Sequence, residues 1–265
     1  MGIISITSCF GSNNPELGVI KGIILNICPG IKFADLSHEI IPNDITGAAL
    51  ILERAVSFFP PNTVHIAIVD PSFCKAHRCI AASNGIQYFV GLDNGIFSLV
   101  FQAEELTSQI VELNQPNRIS FRQQPLEIVK LARNVIAPAA AYLASGIEMK
   151  NLGHLIDDPV SLKIKEPEYS KNGWKTQISA VDRFGNLSTR LHRSMLGRTR
   201  IISIRLGESI IDRIVKTYGN EAPGSLVALF NSDDFLEISM VNGSAAAEIN
   251  AHVGSPVDVI CETEN

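Results

Sequence analysis

The chain has 265 residues, 46% hydrophobic and 18% charged, with a formal net charge of −5. That size and balance fit one large globular domain or two small ones and exclude global disorder. A mildly acidic chain lacks the clustered Lys and Arg on which nucleic-acid affinity rests, and no apolar run approaches the ~20 residues of a membrane helix.

The five cysteines are an odd number with no metal-type spacing, which predicts free thiols in a reducing cytoplasm and no disulfide framework. The opening stretch has no basic region ahead of its apolar residues and reads as a buried strand, not a signal peptide.

In chain order, Ile3–Ser8 is a short apolar strand, followed by the loop Gly11–Pro15 and a helix from about Glu16 to Ile27. Lys32–Leu36 reads as a second strand. Asn43 or Asp44 is placed to cap a helix over Ile45–Phe59, where Ala48, Leu52, Ala55, Val56 and Phe59 recur at helical spacing. Val64–Val69 is a near-continuous apolar strand ending at Asp70, of the kind found in sheets covered on both faces. Cys79–Ser83, Tyr88–Gly91 and Ile110–Leu113 are further strands, and Pro125 opens a long helix stopped by Gly146.

The pattern then changes. Lys163–Asn172 reads as a linker, followed by strands at Gly173–Val181, Ile201–Leu206, Leu226–Phe230, Leu236–Val241 and Pro256–Cys261, with one helix over Ser209–Tyr218. The predicted fold class is α/β: an N-terminal α/β domain over residues 1–158, with a mostly parallel sheet between helices, and a small β-barrel-like domain over 170–265.

Three places could carry chemistry. The loop Ser8–Asn14 lies beyond the carboxyl end of the first strand, where open α/β sheets bind ligands. It equally suits an ordinary strand–helix connection, and it is not a phosphate loop. Asp70 ends a buried apolar strand and calls for a partner, which Lys75, His77 or Arg78 can supply; a turn Asp before Pro71 is the plainer alternative. Asp182, Gly185 and Asn186 favour a tight turn. Gly91–Gly95 is a turn signal with a structural role, and His38 is a lone histidine, more often structural than a base. No HxH or HxxxH pair and no GxSxG occurs, which argues against a histidine metal site or a serine nucleophile elbow.

Taken together, these segments resemble one family. They include Phe10-Gly11, Gly18–Gly22, Asp35–Ile40, Phe59–His65, Val69–Pro71, Val90–Gly95 and Ala137–Ala140. In the second half they include Asp182–Asn186, Asn231-Ser232, Phe235–Ile238 and Asn242–Ala246. The chain is similar to the S-adenosylmethionine (SAM) hydroxide adenosyltransferases, or SAM hydrolases, relatives of the SAM-dependent fluorinase and chlorinase.

The resemblance implies cleavage of SAM at C5′ by water or hydroxide to adenosine and L-methionine, with SAM as substrate and no cofactor or metal. It implies a cytoplasmic homotrimer with its nucleoside site at a subunit interface, and no nucleic-acid or membrane partner. Carried over by position, Asp70, His77 and Arg78 form the catalytic set. Cys9, Asp182, Phe184, Asn186, Ser232, Glu237 and Met240 form the nucleoside-binding set.

The chain departs from the family motif at several of these places. Cys9 stands where an Asp holds the ribose hydroxyls, and Asn14 replaces a loop Asp. His77 stands at the catalytic Arg, and Leu131 at the catalytic His. Two outcomes follow. In one, His77 combines the base and electrostatic roles. In the other, the chain is a non-catalytic SAM- or adenosine-binding paralogue, a sensor or scaffold; a separate rival is a SAM-dependent enzyme that uses another nucleophile.

Overall fold

The computed structural model describes residues 2–69, 78–103, 109–114 and 127–263. The chain divides into two compact units, Met1–Lys163 and Ile164–Asn265.

The first unit holds β1 (Ile3–Ser8), α1 (Glu16–Ile27), β2 (Lys32–Ser37), α2 (Ile45–Val56), β3 (Val64–Ile68), β4 (Cys79–Ser83), β5 (Tyr88–Leu92), α3 (Ser98–Ala103) and β6 (Gln109–Leu113). A continuous helix follows in three parts: α4 (Ile128–Leu131), a π-helical segment over Ala132–Ile136, and α5 (Ala137–Ala144); then comes β7 (Gly153–Leu155). The strands form one sheet in the order β2-β1-β3-β5-β4-β6-β7. Pairing is parallel from β2 through β5 and antiparallel from β5 outward.

Both faces of the sheet are covered. Ile20 and Ile24 of α1 and Val135, Ile136 and Ala140 of the long helix pack on Ile4, Ile66 and Val90. Ala48, Leu52 and Val56 of α2 pack with Phe97 and Val100 against Ala67 and Phe89. This two-sided burial is why β3 is a near-continuous apolar run, buried at all five positions, instead of an alternating one. Asp44 caps α2, its carboxylate accepting from the Gly47 amide. The expected helix end at Phe59 falls instead at Val56. Pro125 lies outside the described residues.

The second unit is nearly all β: β8 (Glu168–Ser170), β9 (Gly173–Val181), β10 (Leu187–His192), β11 (Thr199–Leu206), β12 (Ser209–Ile211), β13 (Leu226–Phe230), β14 (Phe235–Met240) and β15 (Pro256–Thr263), with the short helix α6 (Ala245–Ile249). The strand order is β12-β11-β15-β9-β10-β14-β13, with β8 on β9. Backbone bonds from Ala228 of β13 to Arg213 and Val215, just after β12, bring the two ends of the sheet together. The result is nearly a barrel, filled by Ile178, Leu187, Leu191, Ile204, Leu236, Ile238 and Val259.

Two expectations are corrected here. Ser209–Tyr218 is not a helix: β11 turns through Gly207, at φ +61°, and pairs back as β12, Leu206 opposite Ser209 and Ile204 opposite Ile211. Two β-branched residues after a Gly-containing two-residue turn favour a hairpin over a helix. The linker Lys163–Asn172 contains β8, because Glu168 and Tyr169 pair with Lys175 and Trp174 of β9.

Candidate active site

In the second unit, the β9–β10 turn is built around one carboxylate. Asp182 Oδ1 accepts from the Phe184 and Asn186 amides at 2.8 and 2.9 Å, and its Oδ2 accepts from Asn186 Nδ2 at 2.8 Å. Gly185 sits at φ +83°, and a Cβ there would lie 2.0 Å from Ser244 Oγ. Ser244 in turn caps α6. The sequence Asp-Arg-Phe-Gly-Asn is therefore a turn by its own chemistry, docked against the start of α6.

That turn forms one wall of an open cleft of about 620 Å³, lined by Asp182, Phe184, Asn186, Tyr218, Glu237, Met240, Val241, Asn242 and Gly243. Phe184 is 61% exposed, with the Arg183 guanidinium 4.7 Å over its ring. Glu237 on β14 is buried and held by three hydroxyls. Its Oε1 accepts from Tyr218 Oη at 2.5 Å and Ser239 Oγ at 3.1 Å, and its Oε2 accepts from Ser188 Oγ at 3.3 Å. Burial, with the Glu237 carboxylate beside it, pushes the Tyr218 phenol up to about 12. The hydroxyl therefore stays protonated and donates.

Five of the residues read from the sequence thus share one cleft: Asp182, Phe184, Asn186, Glu237 and Met240. Ser232 does not join them. It lies in the turn before β14, at the opposite end of that strand from Met240. Tyr218 was missed, because the stretch before it was read as a helix.

In the first unit, the loop after β1 carries Cys9, which is half-buried. Gly11 takes φ +81°, and its amide donates to the His38 carbonyl at 2.8 Å. Glu39 accepts from both the amide and the hydroxyl of Ser12, at 2.8 and 2.7 Å. These Ser12 bonds hold the Glu39 carboxyl below its ordinary range. Ser8 Oγ meets His38 Nδ1 at 2.9 Å, and His38 Nε2 lies 3.2 Å from Asp35 Oδ1. Lys21 Nζ sits 2.6 Å from Asp35 Oδ2. Burial acts to raise the Asp35 carboxyl, but Lys21 and His38 outweigh it and hold it below its ordinary range.

Asp70 and His77 lie outside the described residues. Arg78 precedes β4, and its fork is occupied. Its Nε donates to Asp93 Oδ2 at 2.7 Å, and Nη1 and Nη2 reach the Asp158 carboxylate and carbonyl at 2.8 Å. Asn94 Nδ2 donates to the Val69 carbonyl at 2.9 Å. The Asp93-Asn94 dipeptide therefore ties down both residues that flank 70–77. In the long helix, Arg133 grips buried Glu16 of α1 through two bonds of 2.5 Å. It does so from the π-helical segment, a distortion that recurs at functional sites. Among the described residues no group of three or more His, Cys, Asp or Glu side chains could hold a metal ion, and no helix is long and apolar enough to cross a membrane.

Comparison with known proteins places both units. Residues 4–153 match the model of the SAM hydroxide adenosyltransferase N-terminal domain, and residues 176–258 that of its C-terminal domain. A (R)-S-adenosyl-L-methionine hydrolase from Thermus thermophilus is 30% identical, covering 96% of this chain and 97% of that protein. One from Methanocaldococcus jannaschii is also 30% identical, covering 98% and 96%. A fluorinase from an Actinoplanes species is 24% identical over 97% of each chain. The crystal structure of an uncharacterized conserved protein from Thermotoga maritima superposes with a TM-score of 0.85 at 25% identity, covering 97% of this chain and 99% of that one. With both domain models matched in order and hydrolase relatives aligned end to end, this chain belongs to the SAM hydroxide adenosyltransferase family.

Proposed function

We propose that this protein cleaves SAM with water or hydroxide, giving adenosine and L-methionine. The observation that carries this reading is the end-to-end similarity to proteins named (R)-S-adenosyl-L-methionine hydrolases. In the reaction an O–C5′ bond forms as the C5′–S bond breaks. The electron pair stays on sulfur, and the attacking water gives up one proton. The leaving group is a neutral thioether and needs no general acid. The protein must hold the ribose, align the water and keep other water out.

The barrel cleft supports a role in holding the nucleoside and its cationic tail. It offers an exposed aromatic ring in Phe184, amide groups in Asn186 and Asn242, and two carboxylates, Asp182 and Glu237. In this reading Asp70 and His77 serve the water, with SAM as substrate and no cofactor. Arg78 acts as a brace, because Asp93 and Asp158 already occupy its guanidinium. The same reading takes the protein as a cytoplasmic homotrimer with its site at a subunit interface. The free thiols of Cys9, Cys28, Cys79 and Cys261 support the reducing compartment. Light scattering at micromolar concentration tests the trimer.

The decisive experiment is incubation with SAM in ¹⁸O-labelled water, followed by mass spectrometry of the products. Adenosine labelled at its 5′ oxygen is the expected result. Adenosine release no faster than in buffer overturns the catalytic reading. If that inactive protein still binds adenosine, the substitutions at Cys9 and Leu131 have left a binding protein.

A further inference from the structure

The loop after β1 is held by a polarised chain of groups that runs inward from the exposed Lys21–Asp35 pair to buried His38 and Ser8. Lys21 of α1 meets one oxygen of Asp35, and His38 meets the other through Nε2. On the Nε2 side, Asp35 Oδ1 stands 3.2 Å away without an aligned hydrogen bond. Across the ring, Nδ1 meets Ser8 Oγ at 2.9 Å. Ser8 is fully buried and His38 is 9% exposed.

The tautomer with its proton on Nε2, toward the Asp35 carboxylate, leaves Nδ1 to accept from the Ser8 hydroxyl. Ser8 Oγ then turns its lone pairs toward the Phe10 amide, 3.5 Å away. From the Phe10 amide through Ser8 to His38 the donors point the same way, toward Asp35, which Lys21 meets from the other side. The main chain adds to this: the His38 carbonyl takes the Gly11 amide, and the next residue, Glu39, takes Ser12. Two consecutive loop amides, at Gly11 and Ser12, therefore bond to the segment that starts at His38, while the Phe10 amide turns back on Ser8.

The array resembles an acid–base–nucleophile set in its order of groups, but full burial of Ser8 removes it from any substrate. Its consequence is geometric. We infer that His38 is a positioning residue: acting through Ser8, it fixes the course of Phe10–Ser12, and with it the Cys9 side chain, as one wall of the substrate site. The inference rests on the proposed function in placing that loop against the nucleoside.

The test compares His38→Ala, His38→Asn, Ser8→Ala and the double variant His38→Ala/Ser8→Ala. An Asn amide can present an acceptor near the Nδ1 position, whereas Ala cannot. Two readouts apply. Amide hydrogen exchange at Phe10, Gly11 and Ser12 should rise by about tenfold in His38→Ala and Ser8→Ala, the loss of one buried hydrogen bond. It should return toward wild type in His38→Asn, with exchange in β3 unchanged. The KM for SAM should rise by a similar ~10-fold, more than kcat falls, and the double variant should be no worse than either single one.

Unchanged loop exchange in His38→Ala overturns the inference whether or not the protein turns over SAM. So does a double variant in which the two losses simply add. Raised exchange with unaltered KM, in an enzyme that does cleave SAM, shows that the loop is not part of the site and overturns it as well. A wild type that neither cleaves SAM nor binds adenosine counts against the proposed function alone, and loop exchange still decides the role of His38.

Discussion

Arg78 and Asp93 hold each other by both side chain and backbone. Arg78 Nε donates to Asp93 Oδ2 at 2.7 Å, and the Asp93 amide donates back to the Arg78 carbonyl at 2.8 Å. The Asp93 side chain is only 2% exposed, so removing Arg78 strands a buried carboxylate. Arg78→Ala should lower unfolding stability by roughly 2–3 kcal/mol, toward the lower end for a buried pair because Arg78 is partly exposed. The other partner, Asp158, is 71% exposed, and Asp158→Ala should cost under about 1 kcal/mol. Urea unfolding of the two variants checks this, and equal losses would refute the brace.

Cys9 stands where the family motif has a ribose-holding Asp. Cys9→Asp should tighten adenosine binding, since each hydrogen bond to a charged acceptor is worth roughly 1.5–3 kcal/mol. Calorimetry reads this directly. Weaker or unchanged binding would mean that the loop has been rebuilt around a different ligand.

Tyr218 donates to Glu237 within the barrel cleft. Tyr218→Phe keeps the ring and removes one of three hydroxyl donors to a buried carboxylate. We expect SAM binding to weaken by about 3- to 10-fold, a net value near 1 kcal/mol for one hydrogen bond, with little change in melting temperature. A fall in melting temperature without any change in affinity would make the pair purely structural.

His65 gives the fold a pH dependence of its own. It is fully buried in β3, bonded through Nδ1 to Ser5 Oγ at 2.7 Å and stacked on Phe89. Burial lowers its pKa from 6.5 to about 4. Between those values the unfolded chain binds a proton that the folded one does not. Stability is therefore fully present above about pH 6.5 and is lost as pH falls toward 4, by an amount on the order of 3 kcal/mol. His65→Phe should flatten the stability profile between pH 4.5 and 6.5 relative to wild type. Parallel profiles for the two proteins would count against the assignment.

Much of the fold was legible because the parallel strands are covered on both faces. Val64–Ile68 has all five residues buried, and such a run has few other readings. The Asp182–Asn186 turn was equally legible, since Asp182 makes its own local bonds. What escaped had ambiguous periodicity. Ile210, Ile211, Ile214 and Val215 fit one helix face as well as a strand, and only the pairing with β11 decides between them. That error hid Tyr218. The brace at Arg78 was invisible for another reason: its partners Asp93 and Asp158 are 15 and 80 residues away in the chain, and charge alone does not say which Asp an Arg will find. Ser232 was chosen by position in a motif, and strand direction then carries it away from the cleft that Met240 lines.

The π-helical segment at Ala132–Ile136 also bears on how this helix tolerates change in length. A π turn holds one residue more than the α-helical turn it replaces. Deleting a residue elsewhere in a packed helix rotates everything beyond it by about 100° and swings the buried face outward. Deletion of the exposed Asn134 would instead let the i→i−4 ladder close, leaving Ala139, Ala140 and Leu143 on their present face. The helix that bears Arg133 thus contains one place, at the exposed Asn134, where a residue can be lost while the contacts that follow keep their face.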